Sequence, residues 1–489
     1  MNLLFYKRVN LVYLLFAVLL GITSCGHPRQ MSRDRDFVPR PKNIIFFVGD
    51  GMGFNHVLAT NYFESGKAYA QPFEQEGWTQ LGLSTYPAVV SQDDGQILFT
   101  NGYSPRLAWT DPLYVASDAT DSGAGGTALA TGKKTFNNAI AISVRGDTLT
   151  QITQAAKAIG KAVGVVSSVH MSHATPASFA AHNVYRGNYE EIARYMLFNT
   201  RIDLIMAAGN PGFNDDGQPS EGNDRFVGGR MLWNQLANGY PKLEFSVDNK
   251  TYRVLDSDGD GTPDPWTVIQ TREQFQNLAS GDTPSRVLGI AQVNSTLQQG
   301  RSKPKTENLP FYQPLNKNIP TLAEMTLAAL NILNQDRDGF FVMIEGGAID
   351  WAGHDMDLVR TVEEQIDLNR AIQAAIHWVE SYSSWDETLI IITADHETGY
   401  LTGIGHPEII NAPPGNFGKG ILPGARFNSD DHTNSLVPFY AKGPGQHLFG
   451  LAAGGFDPVR GYYMQNVQVP QIIFMMWGKP DVAIHRQTR

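Results

Sequence analysis

Acids and imidazoles recur in short clusters along this 489-residue chain: Asp50; Glu345, Asp350 and His354; Asp395 and His396; and His432 within Asp430-Asp431-His432-Thr433. Carboxylates and imidazoles are the ligands of zinc and magnesium, and a catalytic zinc site mixes them while leaving a position open. One such residue alone reads as a helix cap, a turn former or a satisfied polar side chain. Several acid and histidine clusters at the ends of apolar runs are much harder to assign to caps. They point to a metal centre.

A second signal is Thr120-Asp121-Ser122-Gly123-Ala124-Gly125-Gly126-Thr127-Ala128, a serine among small residues that lead into Thr127 to Thr131. Small neighbours let a large group approach the backbone, and a helix N-terminus supplies amides and a favourable dipole for an anion. A nearby metal would lower the serine pKa and make it a nucleophile. Without one, Ser122 is only an N-cap.

These side chains need elements to hold them. Asn43 to Val48 is a continuous apolar run ending in Gly49-Asp50-Gly51-Met52-Gly53, the pattern of a buried parallel strand that opens into a tight loop. The design recurs at Ala162 to Val166, at Gly339 to Ile344 before Glu345, and at Leu389 to Thr393 before Asp395. Amphipathic stretches of helical length lie between them, at Leu149 to Ile159, Pro320 to Asn334 and Asp357 to Glu380. The alternation predicts an α/β fold, a mostly parallel sheet between helices, with ligands at the carboxyl ends of its strands. Residues 210–315, rich in Gly, Asn, Asp and Pro, read as an insertion or cap.

With these motifs in place, the chain resembles the alkaline phosphatase family from about residue 41 to its C-terminus. The motifs are Gly49-Asp-Gly-Met-Gly53, Asp121-Ser122, His173-Ala-Thr-Pro176, Arg186, Glu345-Gly-Gly-Ala-Ile-Asp350, His354, Thr393-Ala-Asp-His396 and His432-Thr433, in family order. The resemblance implies a three-layer α/β sandwich and hydrolysis of phosphate monoesters through a phosphoserine on Ser122, with Arg186 clamping two phosphate oxygens. It implies a first zinc held by Asp350, His354 and His432, and a second held by Asp50, Asp395 and His396. Thr175 and Glu345, with Asp50 bridging, would form a third site for magnesium. Two divalent ions about 4 Å apart stabilise attacking and leaving oxygens of an in-line displacement, and arginine offers a bidentate fork that lysine lacks. The resemblance also suggests a homodimer.

Two positions depart from the best-known bacterial pattern: His173 stands for an aspartate and Trp351 for a lysine. The histidine resembles the animal enzymes, and the pair resembles certain marine and cold-active bacterial ones. Both changes bear on magnesium affinity and phosphate release, and His173 is expected to reach the third cation through water. Sulfatases need a Cys/Ser-x-Pro-x-Arg setting that Ser122-Gly-Ala-Gly-Gly lacks, and diesterase relatives use threonine and lack the Arg186 match. A lipoprotein that binds phosphate or metal without catalysis is the alternative from another class.

Asp256, Asp258, Asp260 and Asp264 occupy positions 1, 3, 5 and 9 of an EF-hand-like loop with Gly261 at 6, but position 12 is Thr267. The loop reads either as a structural calcium site or as a solvated acidic turn. His170, His182 and His406 fall outside the ligand pattern and read as structural, and Ile472 to Trp477 reads as core.

Composition is that of a globular chain, 42% hydrophobic and 18% charged. The only cysteine is Cys25, which excludes an intramolecular disulfide. Lys7 and Arg8, the apolar run Val9 to Gly21 and then Ile22-Thr23-Ser24-Cys25 follow the order of a secretory signal and look like a bacterial lipoprotein signal. That reading cleaves residues 1–24, lipidates Cys25, makes 25–40 a tether and 41–489 the catalytic domain. The expected location is membrane-anchored and exported, facing the periplasm or the cell surface. Cleavage removes two basic residues and no acid, taking the formal charge from −10 to −12, 36 basic against 48 acidic residues. A nucleic-acid partner is excluded on that balance. Bound divalent cations would reconcile an acidic chain with an anionic substrate.

Overall fold

The computed structural model describes residues 38–90, 97–99, 102–237, 242–303, 309–405 and 412–479. The signal, Cys25, most of the tether and His406 lie outside the described residues.

Among the described residues, eleven strands form one sheet. In chain order they are β1 (Asn43–Gly49), β2 (Thr79–Ser84), β3 (Ala162–His170), β4 (Leu204–Ala208), β5 (Thr267–Ile269), β6 (Val287–Ile290), β7 (Phe340–Gly346), β8 (Thr388–Thr393), β9 (Val437–Lys442), β10 (Gly455–Asp457) and β11 (Gly461–Gln465). Their spatial order is β10-β11-β2-β9-β8-β1-β7-β3-β4-β6-β5. Seven neighbours from β8 to β5 run parallel, while β9 is antiparallel to both β8 and β2.

Each residue of β1, β3, β4, β7 and β8 is buried, as strands covered on both faces must be. The helices Phe54–Ser65, Leu322–Leu333 and Leu358–Tyr382 form one covering group, and Ser122–Thr131, Ala174–Ala180 and Gln468–Met476 belong to another, giving three layers. Capping explains the helix starts: Thr321 accepts from Glu324 N in a capping box, and Asp357 accepts from Arg360 N. The stretch expected at Leu149 to Ile159 is helical only over Ile152–Lys157. Ile472, Ile473, Met476 and Trp477 are buried in the core.

Residues 210–315 differ from an insertion that only caps the sheet. They supply β5 and β6 to its edge, and these strands of three and four residues are too short to leave an apolar run in the sequence. The hairpin Glu244–Val247 with Lys250–Arg253 forms a separate two-stranded sheet.

No helix among the described residues is long and apolar enough to cross a membrane.

Candidate active site

The register of the parallel strands brings the acids together. Val48 of β1 lies opposite Glu345 of β7 and Thr393 of β8, and Glu345 lies opposite Ser167 of β3. Adjacent strands therefore bring Glu345, near the carboxyl end of β7, close to Asp50 and Asp395, which lie just beyond the ends of β1 and β8, while β3 runs on to His170. Gly51 makes the turn after Asp50 with φ at +76°, and a Cβ there would stand 2.7 Å from Asp350 Cα. Only glycine fits that left-handed and crowded position.

Ser122 is the first residue of the Ser122–Thr131 helix, and Asp121, not Ser122, is its cap, accepting from Ala124 N at 2.9 Å. The serine hydroxyl is thus left free of capping and faces the metal-type ligands, 3.2 Å from His396 Nε2 and 3.5 Å from Asp50 Oδ1. Gly125 allows this close approach, since a Cβ would come within 2.9 Å of the Asp395 carbonyl oxygen.

Three ligand groups assemble around Ser122. In the first, His354 Nε2 and His432 Nε2 lie 3.3 and 3.4 Å from Asp350 Oδ1 and 3.1 Å from each other. In the second, His396 Nε2 lies 3.4 Å from Asp50 Oδ1 and 3.2 Å from Asp395 Oδ2. In the third, Thr175 Oγ1 donates to Asp50 Oδ2 at 3.1 Å, and Asp50, His173 and Glu345 present converging ligand atoms. Glu345 Oε1 and Asp395 Oδ2 are buried with no hydrogen-bond partner. A buried oxygen left in that state is costly unless a cation or proton joins it, so this donor set fits divalent ions.

The electrostatics say the same. Burial, followed by the charges of Asp395, Asp350 and Glu345, pushes Asp50 far above the carboxylate range. Burial likewise pushes Glu345 up to about 8 and Asp395 up to about 7. Asp350 goes the other way: against burial, the hydrogen bond and charge of His432 hold it low, and His432 is itself pushed up to about 9.

Hydrogen bonds also fix ring orientations. His432 Nδ1 meets the Thr120 carbonyl at 2.9 Å and must donate, so Nε2 is the nitrogen turned to Asp350, carrying a proton in the imidazolium that Asp350 stabilises and becoming a ligand atom once that proton leaves. Thr398 Oγ1 donates to Asp350 Oδ1 at 2.5 Å, so its 3.2 Å contact with His396 Nδ1 requires the imidazole to donate. That frees His396 Nε2 for a ligand. Arg186 donates from Nη1 to Asp121 Oδ2 at 2.9 Å and from Nη2 to His173 Nε2 at 3.3 Å. His173 Nε2 must accept, so its proton is on Nδ1, 3.9 Å from Asp50 Oδ2. In this tautomer Nδ1, the His173 nitrogen on the Asp50 side, carries a proton and offers no lone pair to a cation. Trp351 packs against the His173 ring at a centroid distance of 5.8 Å.

Every expected ligand, Ser122 and Arg186 therefore lie in one cluster of side chains. Sequence reasoning missed Thr398, two residues beyond His396, and Ser167, whose hydroxyl donates to Glu345 Oε2. The strand register opposite Glu345 is the signal that points to Ser167. His170 is stacked on Phe226 at 3.7 Å, and His182 bonds Leu149 O and Tyr195. In the acidic loop, Asp256, Asp258 and Asp260 converge, but Asp264 does not join them. Its Oδ2 turns back to accept from both the backbone N and the hydroxyl of Ser257, each at 2.7 Å.

A three-layer α/β protein with clustered cation ligands and a helix-borne serine at its strand ends is the class this fold and site define. The alkaline phosphatase family model matches residues 41–452, and the chain belongs to that family. It is 30% identical over 378 residues to alkaline phosphatase 3 of Bacillus subtilis, covering 76% of this chain and 64% of that protein. It is 28% identical to the Escherichia coli alkaline phosphatase, covering 86% of this chain and 87% of that one. The fold is similar to the cold-active alkaline phosphatase of a Shewanella species, with a TM-score of 0.58 and 25% identity over 90% of this chain and all of that one. The match thus spans under two thirds of the Bacillus subtilis protein.

Proposed function

We propose that this protein hydrolyses phosphate monoesters through a phosphoserine formed on Ser122. The observation that carries the reading is the position of the Ser122 hydroxyl, on a helix N-terminus and within 3.5 Å of ligands from the second and third cation groups. The names of the relatives support the substrate class.

Asp350, His354 and His432 would hold one zinc; Asp50, Asp395 and His396 a second; Glu345 and Thr175, with Asp50 shared, a magnesium. Bound there, these ions supply Lewis-acid stabilisation of charge on the attacking and leaving oxygens. The chain does the rest. Ser122 Oγ gives up its proton to solvent and attacks phosphorus; the bond from phosphorus to the ester oxygen breaks, and that oxygen takes a proton from solvent. Water then cleaves the serine phosphate, which returns the hydroxyl and releases inorganic phosphate. Arg186, braced by Asp121 and His173, presents its guanidinium to the non-bridging oxygens. The amides at the start of the Ser122–Thr131 helix add a fixed positive field.

The proposal extends to export with a lipid anchor at Cys25, and to a homodimer. The sequence motif supports the first and the family resemblance the second.

Acid quenching during turnover of an aryl phosphate monoester tests the mechanism. Phosphate should be recovered on the peptide containing Ser122. Turnover with no phosphate on that peptide, at any time point, would refute the phosphoserine.

A further inference from the structure

Glu397 follows His396 and belongs to none of the three ligand groups, yet its carboxylate is buried where the ligand-bearing segments meet. Glu397 pairs with Thr433, and Thr398 with His432, in a ladder of two residues per strand. A ladder that short has little stability of its own. The Glu397 carboxylate reinforces it: Oε2 accepts from the Thr433 hydroxyl, and Oε1 accepts from Leu401 N at 3.0 Å.

The same side chain rests on the loop that carries Asp50. A Cβ on Gly53 would fall 2.4 Å from Glu397 Cγ, so the glycine is what admits it. His56 closes the other side. Its Nδ1 accepts from Gly53 N at 3.2 Å, so it faces Glu397 Oε1, 4.0 Å away, with a lone pair and not as a cation. Burial pushes His56 down to about 4, which keeps it neutral.

We infer that Glu397 is a positioning residue: through Thr433 it fixes the two-residue strand that presents His432 to Asp350 and His354, and so sets the affinity of that ligand group. The inference rests on the cation reading given under Proposed function. His432 has other tethers: Nδ1 bonds the Thr120 carbonyl, its backbone N donates to Asp431 Oδ1 at 2.8 Å, and Gly399 N and Asn434 N hold the flanking residues through Asp431 O and Val115 O; Glu397 is the carboxylate that joins the Thr433 hydroxyl to the facing strand. Residues that orient ligands in this way carry weight comparable to the ligands themselves.

The chemistry of the pair makes the idea separable from a general packing role. Thr433 can donate to a carboxylate or accept from an amide, so Glu397→Gln keeps the link, whereas Glu397→Ala and Thr433→Val each abolish it. The test is zinc affinity of the full chain, stripped and then titrated against a chromophoric chelator, with melting of the stripped proteins alongside. E397A and T433V should each weaken zinc binding at one site about 10- to 100-fold, while E397Q and T433S restore it. The double variant should lose far less than the sum of the single losses, because the Glu397–Thr433 bond is common to both; the bonds each variant removes alone, from Leu401 N to Glu397 and from Ser435 N to Thr433, lie outside the ligand groups.

Zinc binding by E397A and T433V equal to that of the parent would overturn the inference, as would losses that add in the double variant. Should E397A fail to fold, T433V, which exchanges a hydroxyl for a methyl, carries the test by itself. A parent that takes up no zinc would refute the cation reading and this inference together. A parent that binds zinc beside an unimpaired T433V refutes this inference alone.

Discussion

Stripped of divalent cations, this protein should lose stability as the pH rises above neutrality. Glu345 and Asp395 are fully buried, at about 8 against an ordinary 4.5 and about 7 against 3.8. A carboxyl raised by folding binds its proton more tightly in the native state. Its stabilising contribution is complete below the unfolded value and is lost as the pH climbs through the folded one. Between pH 6.5 and 8, Glu345 alone should forfeit about 2 kcal/mol, at roughly 1.4 kcal/mol for each unit of pH below its folded value. The window starts at 6.5 because buried His396 and His173 are pushed down and contribute in the opposite sense at lower pH, whereas His432, pushed up to about 9, and Glu364, pushed by burial up to about 8, add to the loss within it. Bound cations reverse the slope, since they displace those protons and bind better as the pH rises. Urea titrations of chelated and of zinc- and magnesium-loaded protein at pH 6.5, 7.5 and 8.5 measure both slopes, and Glu345→Gln should make the chelated one shallower, leaving the shares of Asp395, Glu364 and His432. A chelated protein whose stability is constant across that range, or an E345Q slope equal to that of the parent, would refute the reasoning.

Ser122→Ala should cut turnover by a factor on the order of 10⁴ or more while leaving the melting temperature unchanged, because the cap belongs to Asp121; steady-state kinetics and calorimetry check both. Arg186→Lys should lower kcat/KM about 10- to 100-fold, as the fork that bonds Asp121 and His173 becomes a single ammonium, and inhibition by inorganic phosphate should weaken in parallel. Gly51→Ala should cost on the order of 2 to 4 kcal/mol in denaturant titration, since the φ of +76° and the 2.7 Å approach to Asp350 leave a methyl no space. Asp264→Ala should cost about 1 to 3 kcal/mol through the lost Ser257 bonds, with kcat unaltered.

The parallel centre of the fold was legible because its strands are apolar throughout. β1, β7 and β8 are runs of six or seven buried residues with an acid at or just beyond the carboxyl end, Glu345 within β7 and Asp50 and Asp395 after β1 and β8. The edges were not. β5 and β6 have three and four residues, and β10 and β11 alternate partly exposed side chains, so neither edge leaves a run to read. In the site, ligands stood out by residue type and spacing, whereas Thr398 and Glu397 are ordinary residues that acquire meaning only from what they touch. Asp121 and Ser122 illustrate the same limit. Either could cap a helix, and only the backbone shows that the aspartate does so and frees the serine. The acidic loop reads as calcium-like by spacing, but Asp264 spends both bonds on Ser257.

The central claim is a cation-dependent phosphate monoesterase. Residues 26–489 should be assayed at alkaline pH on an aryl phosphate monoester, the matching diester and the sulfate, before and after chelation and with zinc and magnesium restored. Monoester turnover that vanishes on chelation and returns with the metals is the expected result. Turnover that survives complete chelation, or a folded, zinc-loaded protein that hydrolyses none of the three, would contradict it.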